Sequence, residues 1–211
     1  MDILTELPLL HLQALAMIAA DDDEPRYYLR GVYMDPTGYA VATAGTQLLA
    51  ARIPPFEGEG FIVPREAIAA AVRSVKPRRR GDVVAGLTRS AIVTAGTEHP
   101  MTPIDAVYPV WKKVVPTTVS GELAAFDAAL LDLLQSAIRL ATQNEWLCAV
   151  PVMNGRAAAV VPTYDLDLLA IVMPLKDDGF DADDATQMAR AFMAPPAAVG
   201  GAAVETRSTG G

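Results

Sequence analysis

Cysteine is nearly absent from this sequence: Cys148 is its single example. One cysteine excludes an intrachain disulfide and fits a reducing, cytoplasmic setting. It lies in the apolar run WLCAVPV with no histidine near it in sequence, which argues against a nucleophile. Histidine is almost as scarce, with His11 in a helical stretch and His99 before a proline. No apolar run reaches the roughly 18 residues of a membrane span. The start, MDILTELPLL, is acidic and has no basic n-region, so it does not read as a signal peptide. GxxxxGK[ST], GxGxxG, HExxH and paired CxxC are all missing, and with them the usual phosphate, dinucleotide and zinc sites. Asp21-Asp22-Asp23-Glu24 ends at Pro25 without the internal glycine of a calcium loop, and reads as a solvated loop. No constellation for catalysis, metal or cofactor emerges, so the sequence points to a binding or scaffolding protein rather than an enzyme. The net charge is −8, which gives no general attraction to nucleic acid; any DNA contact must use a local patch.

What is present is an ordinary globular composition, 52% apolar and 20% charged over 211 residues, enough for one large or two small domains. Leu7 to Ala20 reads as a helix with Thr5 as cap, Pro8 in its first turn and an apolar stripe of Leu9, Leu12, Ala16 and Ala19. The densest strand signal follows, from Arg26 to Pro54. Two alternating runs flank Asp35-Pro36-Thr37-Gly38, where proline second and glycine fourth suit a type I turn. Tyr39 to Ile53 is long enough for two strands broken at Ala44-Gly45, so the stretch reads as an antiparallel meander. Phe61-Ile62-Val63 reads as a short strand leading into a second helix, 64–75. A basic loop, Lys76 to Gly81, then precedes three expected strands, Asp82–Leu87, Ser90–Ala95 and Met101–Ala106.

After the proline-rich connector Val107 to Pro116 the pattern restarts. Gly121–Phe126 reads as a strand, and Asp127 caps a third helix running to about Leu140. Leu147–Met153 and Arg156–Thr163 flank the hairpin signal Asn154-Gly155, and Asp167–Met173 is a last strand. The fold class is therefore α+β, with about three strand–helix–strands modules. From Asp177 large apolar residues thin out, and six acids face only Arg190 and Arg207. Residues 177–211 read as an acidic, mobile tail with room for a short helix over Asp184 to Met193.

Five local motifs then carry a resemblance. Arg26-Tyr27-Tyr28-Leu29-Arg30-Gly31 is similar to RYYLNG of the beta sliding clamp of bacterial DNA polymerase III. Val41 to Leu48, VATAGTQL, resembles that family's VATDGHRL, and Phe61 to Arg65 resembles its IVPRK entry into a helix. Tyr108 to Pro116 resembles FPDYRRVLP, and Ile171 to Lys176 resembles the closing VVMPMRL. The resemblance implies a DNA-clamp fold with antiparallel sheets outside and helices on the other face. Residues 1–116 would match the complete middle domain, and 117–176 the second half of the last domain, with 177–211 added.

It further implies a pocket for short linear motifs of DNA polymerase or repair proteins. Its wall would comprise Leu29, Thr43, Gly45, Thr46, Gln47, Leu48, Pro109, Lys113, Val114, Ile171, Met173 and Leu175. The competing reading of these positions is a plain core where two domains meet. Ala44, Thr46 and Gln47 stand where the family has aspartate, histidine and arginine, which implies an altered motif preference. Contact with double-stranded DNA would fall to Arg26, Tyr27, Tyr28, Arg65, Arg73, Arg78, Arg79 and Arg80. The expected function is a cytoplasmic, homo-oligomeric processivity factor. The alternative is a clamp mimic that competes for the same motifs without encircling DNA.

Overall fold

The computed structural model describes residues 2–117, 125–144, 151–154, 158–163 and 165–175. The expected strand at Gly121–Phe126, the Asn154-Gly155 turn, Cys148 and the expected tail lie wholly or largely outside the described residues. The first module is β1 (Thr5–Pro8), α1 (Leu9–Ile18), β2 (Gly31–Asp35), β3 (Tyr39–Thr43) and β4 (Gln47–Arg52). The second repeats the order as β5 (Phe61–Pro64), α2 (Arg65–Ser74), β6 (Val84–Leu87), β7 (Ala91–Thr94) and β8 (Thr97–Pro100). The third contributes α3 (Ala128–Thr142), β9 (Val152–Asn154), β10 (Ala158–Val161) and β11 (Leu168–Val172). Among the described residues no helix is long and apolar enough to cross a membrane.

The strands form two antiparallel sheets, ordered β1-β6-β7-β8 and β5-β2-β3-β4-β11-β10-β9. The first two modules exchange their leading strands: β1 pairs with β6 of the second module, and β5 pairs with β2 of the first. The third module joins through its last strand, with Ile171 opposite Leu48 and Val172 opposite Gln47. The exchange demands a close approach at Gly31. A Cβ there would stand 2.5 Å from the Val63 carbonyl oxygen and 2.7 Å from Ile62 Cγ2. Gly31→Ala is therefore expected to lower stability by about 1–3 kcal/mol through overpacking, read as a shift of the urea midpoint.

Alternation along the strands sorts the side chains into two cores. Met34, Ala40, Ala42, Leu49 and Ala51 face the helices and join Leu9, Leu12, Leu15, Ile18, Ile68, Leu134 and Ile138. Val41, Leu48, Ala50, Ile62 and Ile171 face the other way, under Tyr108 and Trp111 of the connector. A strand buried on both faces cannot show a clean alternating pattern, which is why β4 reads as almost continuously apolar.

Three sequence expectations change. Tyr27–Leu29 is a 3-10 turn rather than strand. Pro25 precedes it, and its backbone is closed locally by Tyr27 N–H donating to Pro25 O and Leu29 N–H to Arg26 O. Met101–Ala106 forms no strand; its Ile104 makes only an isolated bridge to Ile62. The strand is instead Thr97–Pro100, because Ala95 and Gly96 both take positive φ, 49° and 81°, and turn the chain straight back onto β7. The first helix begins two residues later than expected, since Leu7 and Pro8 are held in β1 against Ala85 and Val84.

Candidate binding cleft

The connector builds one wall of a cleft on the outer face of the seven-stranded sheet. Trp111–Val114 is a 3-10 turn. It is pinned by Trp111 Nε1 donating to Asp35 Oδ2 at 3.1 Å, with Tyr39 edge-on to the indole at 5.2 Å. Tyr108 stacks on Tyr33 at 4.8 Å, and burial pushes its phenol pKa well up. Asp35 is the hinge pin of this wall. Its Oδ1 accepts from the Thr37 N–H at 2.9 Å and the Thr37 hydroxyl at 2.6 Å, and Lys112 Nζ stands 3.4 Å from Oδ2. Burial pushes the Asp35 pKa up, but the hydrogen bonds from Thr37 and Trp111 and the charge of Lys112 outweigh it and hold the carboxyl below its usual range.

The opposite wall is the bend between β3 and β4 together with β11. Gly45 takes φ +98°, as expected of a glycine placed for a tight bend. Thr43 Oγ1 closes the bend, donating to Gln47 O at 2.6 Å and accepting from Gly45 N–H at 3.0 Å. Met173 N–H donates to Thr46 O at 2.8 Å and ties the third module to the bend. The enclosed volume is about 220 Å³, lined by Leu29, Thr43, Gly45, Thr46, Gln47, Leu48, Pro109, Val114, Ile171 and Met173 among others. The lining is mainly apolar with a few polar groups, the make-up that anchors apolar side chains of a ligand.

Two of the expected wall residues stand outside the cleft lining. Lys113 is exposed on the connector, and Leu175, 52% exposed, hydrogen-bonds through its N–H to Ala125 O. Four residues not expected there line it: Arg26, Tyr28, Val110 and Trp111. Arg26 reaches the rim because the 3-10 turn swings it over Gly45, whose Cβ, if present, would be 3.0 Å from Arg26 Nη1. Its guanidinium is held by Glu24, Nε to Oε1 at 2.6 Å and Nη2 to Oε2 at 3.0 Å. Those hydrogen bonds hold the Glu24 carboxyl down at about 2. Trp111 was legible only as an aromatic in a proline-rich connector; nothing in its own neighbourhood announces Asp35, far back along the chain, as its partner. A second hollow of about 540 Å³ lies beyond the indole, lined by Tyr39, Arg52, Lys112, Asp165 and Asp167 among others.

The remaining cations gather elsewhere. Arg65 pairs with Asp21, while Arg73 on α2 and Arg78 and Arg79 in the following 3-10 turn are exposed. Arg80 is half-buried and donates through Nε to Val75 O at 3.2 Å. Tyr27 is 51% exposed and meets the Tyr28 ring edge-on. The expected DNA set thus divides three ways: Arg26, Tyr27 and Tyr28 at or beside the cleft rim, Arg65 at the start of α2, and Arg73 with Arg78 to Arg80 at its far end.

Solved structures place this architecture. DNA polymerase III subunit beta of Borrelia burgdorferi, in complex with a natural product, superposes with a TM-score of 0.62 at 14% identity, covering 82% of this chain and 64% of that one. The same subunit of Pseudomonas aeruginosa gives 0.59 at 18% identity over 82% of this chain and 67% of that one. Caulobacter crescentus pol III beta gives 0.58 at 17% identity over 83% and 66%. The chain has the bacterial sliding-clamp fold. No protein-family model matches the sequence, and no curated protein does so; the likeness is carried by structure. The chain spans 64% of the Borrelia clamp subunit, a little under two thirds. The cleft sits where β4 meets β11.

Proposed function

We propose that this chain is a clamp-like protein that captures short linear motifs of replication or repair proteins in the cleft beside Trp111. In this reading residues 1–116 form a complete clamp domain and 117–176 a half domain, and several copies assemble. The observation that carries it is convergence. Fourteen residues drawn from four separate stretches of sequence line one small, mainly apolar hollow. An extended peptide anchoring leucine and phenylalanine side chains fits such a surface. The exposed cations at the end of α2 supply a patch for duplex phosphates, and a contact of that kind weakens steeply with salt. The function is then that of a processivity factor, without catalysis.

A fluorescent pentapeptide with leucine and phenylalanine anchors, titrated by anisotropy, tests the reading. Micromolar binding is expected. Val114→Arg, at a position 44% exposed on the cleft wall, is expected to weaken it at least tenfold with the melting temperature held. No binding at high micromolar concentration would remove the peptide role.

The second reading, a mimic that competes for the same motifs without encircling DNA, is favoured by the net charge of −8 and by the pairing of Arg65 with Asp21, which weaken attraction to duplex phosphates. Retention on nicked circular DNA that is lost on linearisation supports a ring; equal behaviour on both supports the mimic.

A further inference from the structure

The second hollow, beyond the indole, carries different chemistry from the cleft. Tyr39 is paired in register with Arg52, and Arg52 N–H donates to Asp167 O at 2.8 Å. That bond ties a guanidinium and a carboxylate to adjacent backbone segments, and both residues line the hollow. The loop that brings Asp165 and Asp167 there is fixed from within. Asp165 Oδ1 accepts from Asp167 N–H at 2.8 Å, and Thr163 Oγ1 donates to Asp165 O at 2.9 Å. Lys112 is already committed: its Nζ donates to Thr37 Oγ1 at 2.8 Å, stands 3.4 Å from Asp35 Oδ2 and lies over the Tyr39 ring at 5.1 Å. The guanidinium of Arg52 and the carboxylate of Asp167 are not. The ion pairs of the described residues join Arg26 to Glu24, Arg65 to Asp21 and Lys112 to Asp35, and neither of these two side chains makes a hydrogen bond. Opposite charges held on adjacent backbones without pairing leave a place for a ligand that answers both.

Charge narrows the ligand. A dicarboxylate or a phosphate would meet Asp165 and Asp167 together, with one uncommitted guanidinium to offset them. A diamine leaves Arg52 unanswered. A neutral apolar molecule strips water from the charged groups and returns nothing, which is unfavourable. A zwitterion supplies an ammonium to the carboxylates and a carboxylate to the planar fork of Arg52. The rest of the lining suits an apolar body: Ala50 and Leu168 are 2% and 7% exposed, with Val115, Leu169 and the Trp111 indole beside them. The volume of about 540 Å³ falls within the roughly 300–1,000 Å³ of small-molecule sites. We propose that this hollow is a binding site for a small zwitterion, an α-amino acid with an apolar side chain, its ammonium set at Asp165 and Asp167 and its carboxylate at Arg52. The site lies across the connector from the peptide cleft, and the inference does not depend on peptide capture.

The probes are L-leucine, N-acetyl-L-leucine, which lacks the ammonium, and L-leucinamide, which lacks the carboxylate. Each is titrated against the full chain and followed by saturation-transfer NMR. L-Leucine is expected to bind at about 1 mM or tighter, within reach of a ligand of its size. Either blocked form is expected to bind about tenfold more weakly or worse, the effect of losing one charge-assisted contact. Arg52→Gln and Asp167→Asn, both at exposed positions, should each weaken L-leucine by a similar factor with the melting temperature held. Val114→Arg, on the wall of the peptide cleft, should leave L-leucine binding unchanged. No saturation transfer at high millimolar concentration overturns the site. A blocked form that binds as tightly as L-leucine overturns the zwitterion assignment, as does L-leucine binding that survives both Arg52→Gln and Asp167→Asn. Loss of L-leucine binding in Val114→Arg would put the ligand in the cleft and overturn the placement.

Discussion

Replacing Trp111 by alanine is expected to destabilise the protein by about 3–5 kcal/mol and to abolish peptide capture. The indole is only 7% exposed, lines the cleft, meets Tyr39 edge-on and donates to Asp35. Its loss opens a cavity between the cleft and the hollow beyond it and removes a donor from a carboxylate whose side chain is 11% exposed. Stabilities of native domains are of order 5–15 kcal/mol, so the urea midpoint should fall by a large fraction of its value. Trp111→Phe separates the two contributions. It keeps most of the apolar volume and loses the hydrogen bond, a loss of about 1.5–3 kcal/mol for a charged acceptor.

Acidification gives an independent signature of the same lock. Asp35 is held below its ordinary value of 3.8 in the folded chain. A depressed carboxyl binds fewer protons folded than unfolded between those two values. Its contribution to stability is therefore fully present above about pH 4 and fades as pH falls through the folded value. In Trp111→Phe that acid limb should be shallower, since one of the interactions depressing the pKa is gone. A Trp111→Ala midpoint within error of wild type would sink this account of the connector.

The second large effect is at Leu15. Leu15→Ala is expected to cost about 2–5 kcal/mol, with the slope of the urea transition unchanged. Leu15 is fully buried on α1, and so are Leu9, Leu12, Ala14 and Ile18 around it. The helix is packed by α2, by α3 and by the sheet strands β2, β3 and β4. A helix that is apolar all round belongs in the interior; with neighbours on several sides, the site left by truncation has little freedom to collapse. Met17→Ala, at a half-buried position of the same helix, should cost clearly less. Equal losses at the two positions would mean that α1 is not the shared core of the three modules.

Much of the architecture can be read directly from residue order. The helices follow from their apolar spacing, and Asp127 does cap α3, its Oδ1 accepting from Ala129 N–H at 2.8 Å. The meander from β2 to β4 follows from alternation interrupted at Asp35 to Gly38 and at Gly45, both glycines taking positive φ. These are local signals: each rests on dihedral preference or on periodicity within a few residues. What residue order alone leaves open is where the exchange of β1 and β5 sends each strand, why Leu7 and Pro8 serve a strand rather than a helix, and how Ala95 turns β7 into β8. It also leaves open that Arg26 and Tyr28 reach the cleft rim, that Lys113 and Leu175 miss the lining, and that Trp111 finds Asp35. Gln47 was visible in the sequence as a departure from the sliding-clamp pattern, but its unpaired amide oxygen was not. The reason is the same in each case. Spacing along the chain specifies which residues share a face, while pairing, burial and the satisfaction of polar groups depend on partners brought together from distant segments, and those exist only once the sheets have closed over the helices.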